Sequence, residues 1–159
     1  MTSALLSALL NLSPEVAVRV EVIPHFLQSY DTSGDWRWQD KALVVYVSDL
    51  NDERYHTLIA AHEIVEALLC AAHGISEESV TDFDVDHPEL DEPGDDPRAP
   101  YHTEHMIASL VERSLAASLG VDWEAYSQAF DALPEWGEES SEEPRDLKHM
   151  VGRVIGRDK

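Results

Sequence analysis

The segment AAHEIVEALLCAAHG, residues 60–74, is apolar almost throughout, yet its middle carries His62, Glu63 and Glu66 within five positions. At 100° per residue counted from Leu58, His62 points to about 40°, Glu66 to about 80° and Glu63 to about 140°. The three therefore share one sector of a helix, and Leu58, Ile59, Ile64, Val65, Leu68 and Leu69 lie on every side of it. A helix that is apolar all round is a central one, covered by its neighbours. Burying ionised side chains without partners costs several kcal/mol each. The segment thus calls for compensation, by a divalent cation or by a polar cavity with water and opposite charges. The plainer alternative is a local His62–Glu66 hydrogen-bonded pair at the edge of a cleft.

The flanks of this helix define the fold class. Ser48, Asp49 and Asp52 are candidate N-caps, and Gly74 is suited to the left-handed position after the last turn, so the helix should run from about 54 to 73. Upstream, VAVRVEVIPHF (16–26) alternates apolar and polar residues as a half-buried strand does. DTSGDW (31–36) supplies a turn, and WRWQDKALVVYVSDL (36–50) reads as a second strand region with a buried ALVVYV core. Trp36 and Trp38 alternate within it, so one of its faces packs on the core. The short connection predicts antiparallel pairing. Downstream, residues 74–100 read as a partly irregular acidic connection, with a helical turn in SEESVTDF. A second helix should span about 101–119, and a third should begin near Asp122. The expected class is α+β: a small, mostly antiparallel sheet packed on a central buried metal-site helix and two further helices. Residues 1–136 should form one domain, opening with a short amphipathic helix over 3–12. Residues 137–159 read as an acidic, then basic tail.

Charge narrows the partners. The 159 residues include 32 acidic and 11 basic side chains, a net charge of −21. Such a field repels nucleic-acid phosphates and anionic lipid headgroups, which argues against direct nucleic-acid or membrane binding and favours basic protein partners or cations. No stretch approaches the ~18 apolar residues of a membrane span. The N-terminus lacks the basic n-region of a secretory signal, so a cytoplasmic location is the default expectation. Cys70 is the one cysteine; it can form no internal disulfide, excludes a Cys-based zinc cluster, and should be a buried thiol.

Residues four apart on a helix stack one turn apart, so His62 and Glu66 can reach one ion. Imidazole with carboxylate suits zinc, and suits iron or manganese less selectively. Glu63 would lie beside that ion, where a general base can take a proton from water. H-E-x-x-H helices use this arrangement. AHEIVEALLC, preceded by ALVVYVSDL, resembles the active-site helix of zincin-type metallopeptidases. Together with YHTEHMIASLVERSLAASLGVDW (101–123) it is similar, over about residues 40–125, to uncharacterised phage-type proteins of metallopeptidase character. The resemblance implies a zincin-like fold, one zinc ion, His62 as a ligand, Glu63 as general base, and Glu66 where the second histidine usually stands. A carboxylate there lowers the net charge of the site and weakens the metal as a Lewis acid.

A catalytic zinc takes three protein ligands and an open position. The second helix offers His102, Glu104 and His105. On its wheel, His102, His105, Ser109 and Glu112 form a polar stripe, while Ile107, Val111 and Leu115 mark an apolar face that contains Glu104. Inward direction therefore favours Glu104. Chemistry and the resemblance favour His105, which completes a two-His, one-carboxylate set. We take His105 as the third ligand, with Glu104, His102 and Glu112 as supporting or alternative groups. The implied activity is zinc-dependent hydrolysis, with a peptide or protein as substrate.

Two other function classes fit parts of the sequence. One is a non-enzymatic acidic interaction protein, DNA-mimicking in the extreme case. The other is a magnesium-dependent phosphohydrolase built on Glu63, Glu66, Glu104 and Glu112, since carboxylates suit that harder ion. DFDVDHPELDEP (82–93) begins like a calcium loop but has His87 and Pro93 where Gly and a bidentate Glu belong, and reads as a solvated acidic loop. His25, His56, His73 and His149 read as isolated surface or edge residues. No serine has nucleophile-elbow context.

Overall fold

The computed structural model describes residues 17–134 and 136. The helix expected over 3–12, the tail at 137–159 and His149 lie outside them. The described chain forms three strands, β1 (Ala17–Ile23), β2 (Gly34–Gln39) and β3 (Ala42–Ser48), and four helices. These are α1 (Glu53–His73), α2 (Glu77–Asp86), α3 (His102–Leu119) and α4 (Trp123–Asp131), with 3-10 turns at His25–Leu27 and Pro93–Asp95. The class is α+β, as the sequence predicts.

The sheet order is β1-β3-β2. β2 and β3 form an antiparallel hairpin with Trp36 opposite Val45, whereas β1 runs parallel to β3 with Val20 opposite Val45. The sheet is therefore mixed rather than mostly antiparallel. Hairpin length argues for antiparallel pairing only between neighbours, and β1 and β2 are not neighbours; β3 fills the gap between them. The region read as one strand is two, folded at Asp40, whose φ of 57° is the left-handed value a two-residue hairpin turn requires.

α1 lies between the sheet and α3, which explains why it is apolar on every side. Leu43, Val45 and Val47 of β3 and Trp36 of β2 pack with Leu58, Ile59, Ala67 and Cys70 of α1 to form the core. The Asp52 side chain caps its first turn through the Arg54 amide, and Gly74 ends it at φ 76°. A non-glycine residue there would meet the Cβ–carbonyl clash of the left-handed region.

Two expectations fail downstream. The acidic run from Asp82 is not a loop at its start, because Asp82–Asp86 form the last turn of α2, capped by Ser76. Its Asp84 accepts hydrogen bonds from Tyr30 (2.9 Å) and from Tyr101, while Asp82 is exposed. On α3, Ile107 and Val111 are exposed, and the buried residues are Glu104, His105, Ala108, Glu112 and Ala116. This helix turns a polar-and-alanine face inward. Small residues let it lie close to α1, and the polar groups find partners there.

Candidate metal centre

His62 and Glu66 stand one turn apart on α1 and face His105 on α3. One ligand atom of each lies within 4.8 Å of the others, and all three residues are buried. His62 Nε2 is 3.2 Å from His105 Nδ1, and Glu66 Oε2 is 3.1 Å from His105 Nδ1 and 3.5 Å from His62 Nε2. A tetrahedral ion with bonds of about 2.0–2.1 Å places neighbouring donors about 3.3–3.4 Å apart. The triangle has the size of such a site.

The far atom of each of these residues is held by another group. His62 Nδ1 donates to Glu112 Oε2 at 3.0 Å, and Glu112 Oε1 accepts from the Tyr126 hydroxyl. His105 Nε2 lies 3.4 Å from Asp95 Oδ1. Trp36 Nε1 donates to Glu66 Oε1 at 3.0 Å. The Glu112 carboxylate fixes the His62 tautomer, so in the neutral ring Nε2 carries a lone pair, and His105 presents a lone pair at Nδ1 when its Nε2 holds the proton towards Asp95. Two lone pairs and a carboxylate oxygen then converge on one point. In that tautomer the set could hold a cation. A proton can serve: burial opposes the imidazolium form of His62, but hydrogen bonds to Glu112 and Glu66 and the Glu63 charge outweigh it and raise the pKa to about 11. Burial likewise opposes ionised Glu66, yet the His105, His62 and Trp36 contacts hold it below the usual range.

Glu63 is half-buried on the neighbouring sector, and among the described residues no hydrogen bond reaches its carboxylate. Burial, then repulsion from Glu66, raises its pKa well above that of an ordinary glutamate, although the charge of His62 works the other way. Two glycines make room at the centre. A Cβ on Gly34 would stand 2.4 Å from Glu63 Oε1, and one on Gly94 would stand 2.3 Å from the His105 ring. β2 and the Pro93–Asp95 turn can therefore approach these side chains only without side chains of their own at those points.

The remaining residues singled out in the sequence fall at different distances from the centre. Glu112 sits directly behind His62. Glu104 is buried but turns to His73 Nδ1, 2.6 Å away at the end of α1. His102 is half-buried with Nδ1 2.8 Å from the Gly94 carbonyl oxygen, bracing the turn that carries Asp95. Among the described residues Glu63, Glu66, Glu104 and Glu112 form no carboxylate-only cluster. Trp36, Asp95 and Tyr126 were not legible as contributors. Trp36 read as a core residue, and only the pairing of β2 with β3 aims its indole at Glu66.

Among the described residues, the histidines read as isolated, His25, His56 and His73, have partners. His73 holds Glu104, and His56 Nε2 accepts from the Leu50 amide at 3.0 Å. His25 is buried between Ser48 Oγ (2.9 Å) and Asp31 Oδ1 (3.2 Å), an order suggestive of nucleophilic catalysis. Ser48 is fully buried, and its hydroxyl also meets Gln28 Nε2 and the Thr32 carbonyl. No substrate carbonyl can reach it. The group ties the β1–β2 connection to the end of β3.

Comparison with protein-family models, with curated proteins and with solved structures finds no match to this chain. Among the described residues, no single helix is long and apolar enough to cross a membrane.

Proposed function

We propose that the protein is a zinc-dependent hydrolase of the metallopeptidase kind, with His62 Nε2, Glu66 Oε2 and His105 Nδ1 as the ligand atoms. The observation that carries this reading is the convergence of three electron-pair donors, with His62 and Glu66 fixed from behind by hydrogen bonds with Glu112 and Trp36 and the outer nitrogen of His105 facing Asp95. Zinc is favoured by the two-His, one-carboxylate set and by donor spacings that suit a tetrahedral ion. When bound, zinc polarises a carbonyl and acidifies water.

The chain's own residues would divide the work. Glu112, itself held by Tyr126, keeps His62 in the tautomer that presents Nε2. Glu63 has a raised pKa and an unoccupied carboxylate, which suits a group that accepts a proton from water and returns it to a leaving amine. Gly34 leaves the space in which that carboxylate stands. Glu66 in place of a second histidine lowers the charge of the centre, so hydrolysis would be slower than at an all-neutral ligand set. Peptide or amide bonds are the favoured substrates, and the surplus of acid favours basic ones.

Purified protein should contain about one zinc per chain by elemental analysis, and Glu63→Gln should retain that zinc while losing hydrolysis of a mixed peptide library. Equal cleavage by both proteins would remove Glu63 as the base. Zinc binding without cleavage by either would leave a metal-binding protein that is not a peptidase.

A further inference from the structure

β1 is an edge strand: β3 pairs with one side of it, and among the described residues no strand pairs with the other. Its Val18 and Val20 are 48% and 42% exposed, although they lie on the sheet face that carries Leu43 and Val45 in β3, where the core begins. Long, apolar, uncharged edges invite a further strand, and proteins usually protect them with lysine, proline, a bulge or a covering loop. β1 has no lysine, proline or bulge, and among the described residues no strand covers its outer edge. Its only charges are Arg19, which is exposed, and Glu21, which is half-buried; they pair with each other on the opposite face at 2.8 Å.

The order of these residues is self-complementary. The sequence Val18-Arg19-Val20-Glu21-Val22 reads the same in both directions except that its two charges are opposite in sign. Laid antiparallel on a second copy with Val20 opposite Val20, it sets Val18 opposite Val22, and Arg19 opposite Glu21 at both ends of the two-fold axis. Directly opposed residues in an antiparallel pair are the closest side-chain neighbours in a sheet, and unlike charges there are favourable while like charges are not. An isologous two-fold contact needs such a patch, one that complements itself. A register shift of two residues would set Arg19 against an apolar side chain and lose the match.

We propose that the outer edge of β1 pairs with β1 of a second copy about a two-fold axis through Val20, joining two three-stranded sheets into one of six strands. The partner is a second copy of this chain because the charge pattern matches its own reverse. The net charge of −21 on each copy opposes the contact. That long-range repulsion is screened beyond about 10 Å at 0.1 M salt, whereas ion pairs in contact are screened less, so the dimer should tighten as salt rises towards physiological strength.

The test uses the full chain and reads mass in solution by light scattering and sedimentation equilibrium at physiological salt. The wild type should be dimeric at high concentration. Arg19→Glu places four acidic groups across the axis and Glu21→Arg four basic ones, so each alone should be monomeric. The double variant Arg19→Glu/Glu21→Arg should restore the dimer. An equimolar mixture of the two single variants should form a heterodimer, because each strand then complements the other. Neither side chain is fully buried, and circular dichroism with thermal melting checks that each variant is folded. A wild type that stays monomeric up to about 1 mM, single variants that dimerise like the wild type, or a mixture that stays monomeric would each overturn the proposal.

Discussion

Two buried histidine networks, one at the end of β3 and one between α1 and α3, are satisfied in different ways. Around His25 each group finds a partner of the opposite kind: Gln28 gives to Ser48, the one Ser48 proton is shared between the Thr32 carbonyl and His25 Nδ1, and His25 Nε2 gives to Asp31. Nothing further is needed. Around His62 and His105, Glu112 and Trp36 hold the outer atoms of His62 and Glu66, and with the outer ring nitrogens protonated the inner atoms are all acceptors. The first network closes on itself, and the second, with its outer ring nitrogens protonated, closes around a positive charge. Burial of polar groups is common to both; what separates a structural knot from a ligand site is whether its donors and acceptors balance.

The largest expected effect lies on the unbalanced side. Saturation at about a thousand times the dissociation constant should add about 4 kcal/mol of stability. For a chain of this size that is a rise of about 10 °C in Tm, read by scanning calorimetry with and without zinc. His62→Ala should show no zinc-dependent rise, whereas His25→Ala should melt lower but keep the full rise. A zinc shift that survives in His62→Ala would erase the distinction drawn here.

A smaller effect tests the support behind the ligands. Glu112→Ala releases the outer nitrogen of His62, and loss of such a partner typically weakens metal affinity 10–100-fold. Competition with a chromogenic chelator measures it. Ser48→Ala is the matching change in the closed network: it strands His25 and Gln28 and should cost about 1–2 kcal/mol in urea denaturation, with zinc affinity unchanged.

The smallest effect concerns Asp35, which belongs to neither network. Its side chain is buried beside Arg37 (3.0 Å), yet Oδ2 makes no hydrogen bond. Burial outweighs the Arg37 charge and lifts its pKa from the usual 3.8 to about 6. The folded protein then holds a proton that the unfolded chain has already released, so this group's contribution is intact below pH 4 and falls as pH rises towards 6. Asp35→Asn lacks that decline. Its advantage over the wild type should grow across the same window and level off above it at on the order of 1 kcal/mol, since the lost Arg37 pair offsets part of the gain. Denaturation midpoints at pH 4 and pH 7 give the comparison.

The residues of α1 were sufficient to place it. Its all-round apolar surface could be met only by neighbours on two sides, and Asp52 and Gly74 mark its ends because cap chemistry is local. The stacking of His62 on Glu66 follows from helical geometry alone. α3 was misread because periodicity assumes that apolar residues turn inward; its inward face is Glu104, His105, Glu112 and two alanines, and only contact with its neighbours makes that face acceptable. The pairing of β1 with β3 was equally hidden, since strand patterns do not state which strands are neighbours.

The sequence by itself therefore determined the class of fold, the central helix and two of the three groups that converge on the candidate centre, because helix periodicity and capping are properties of adjacent residues. Tertiary structure decided the rest: His105 over Glu104 at the centre, the indole of Trp36 on Glu66, and the mixed order of the sheet. These join residues from 25 positions apart (Ala17 and Ala42) to 43 (His62 and His105), and the free energy of such contacts depends on which surfaces meet, something no local pattern encodes.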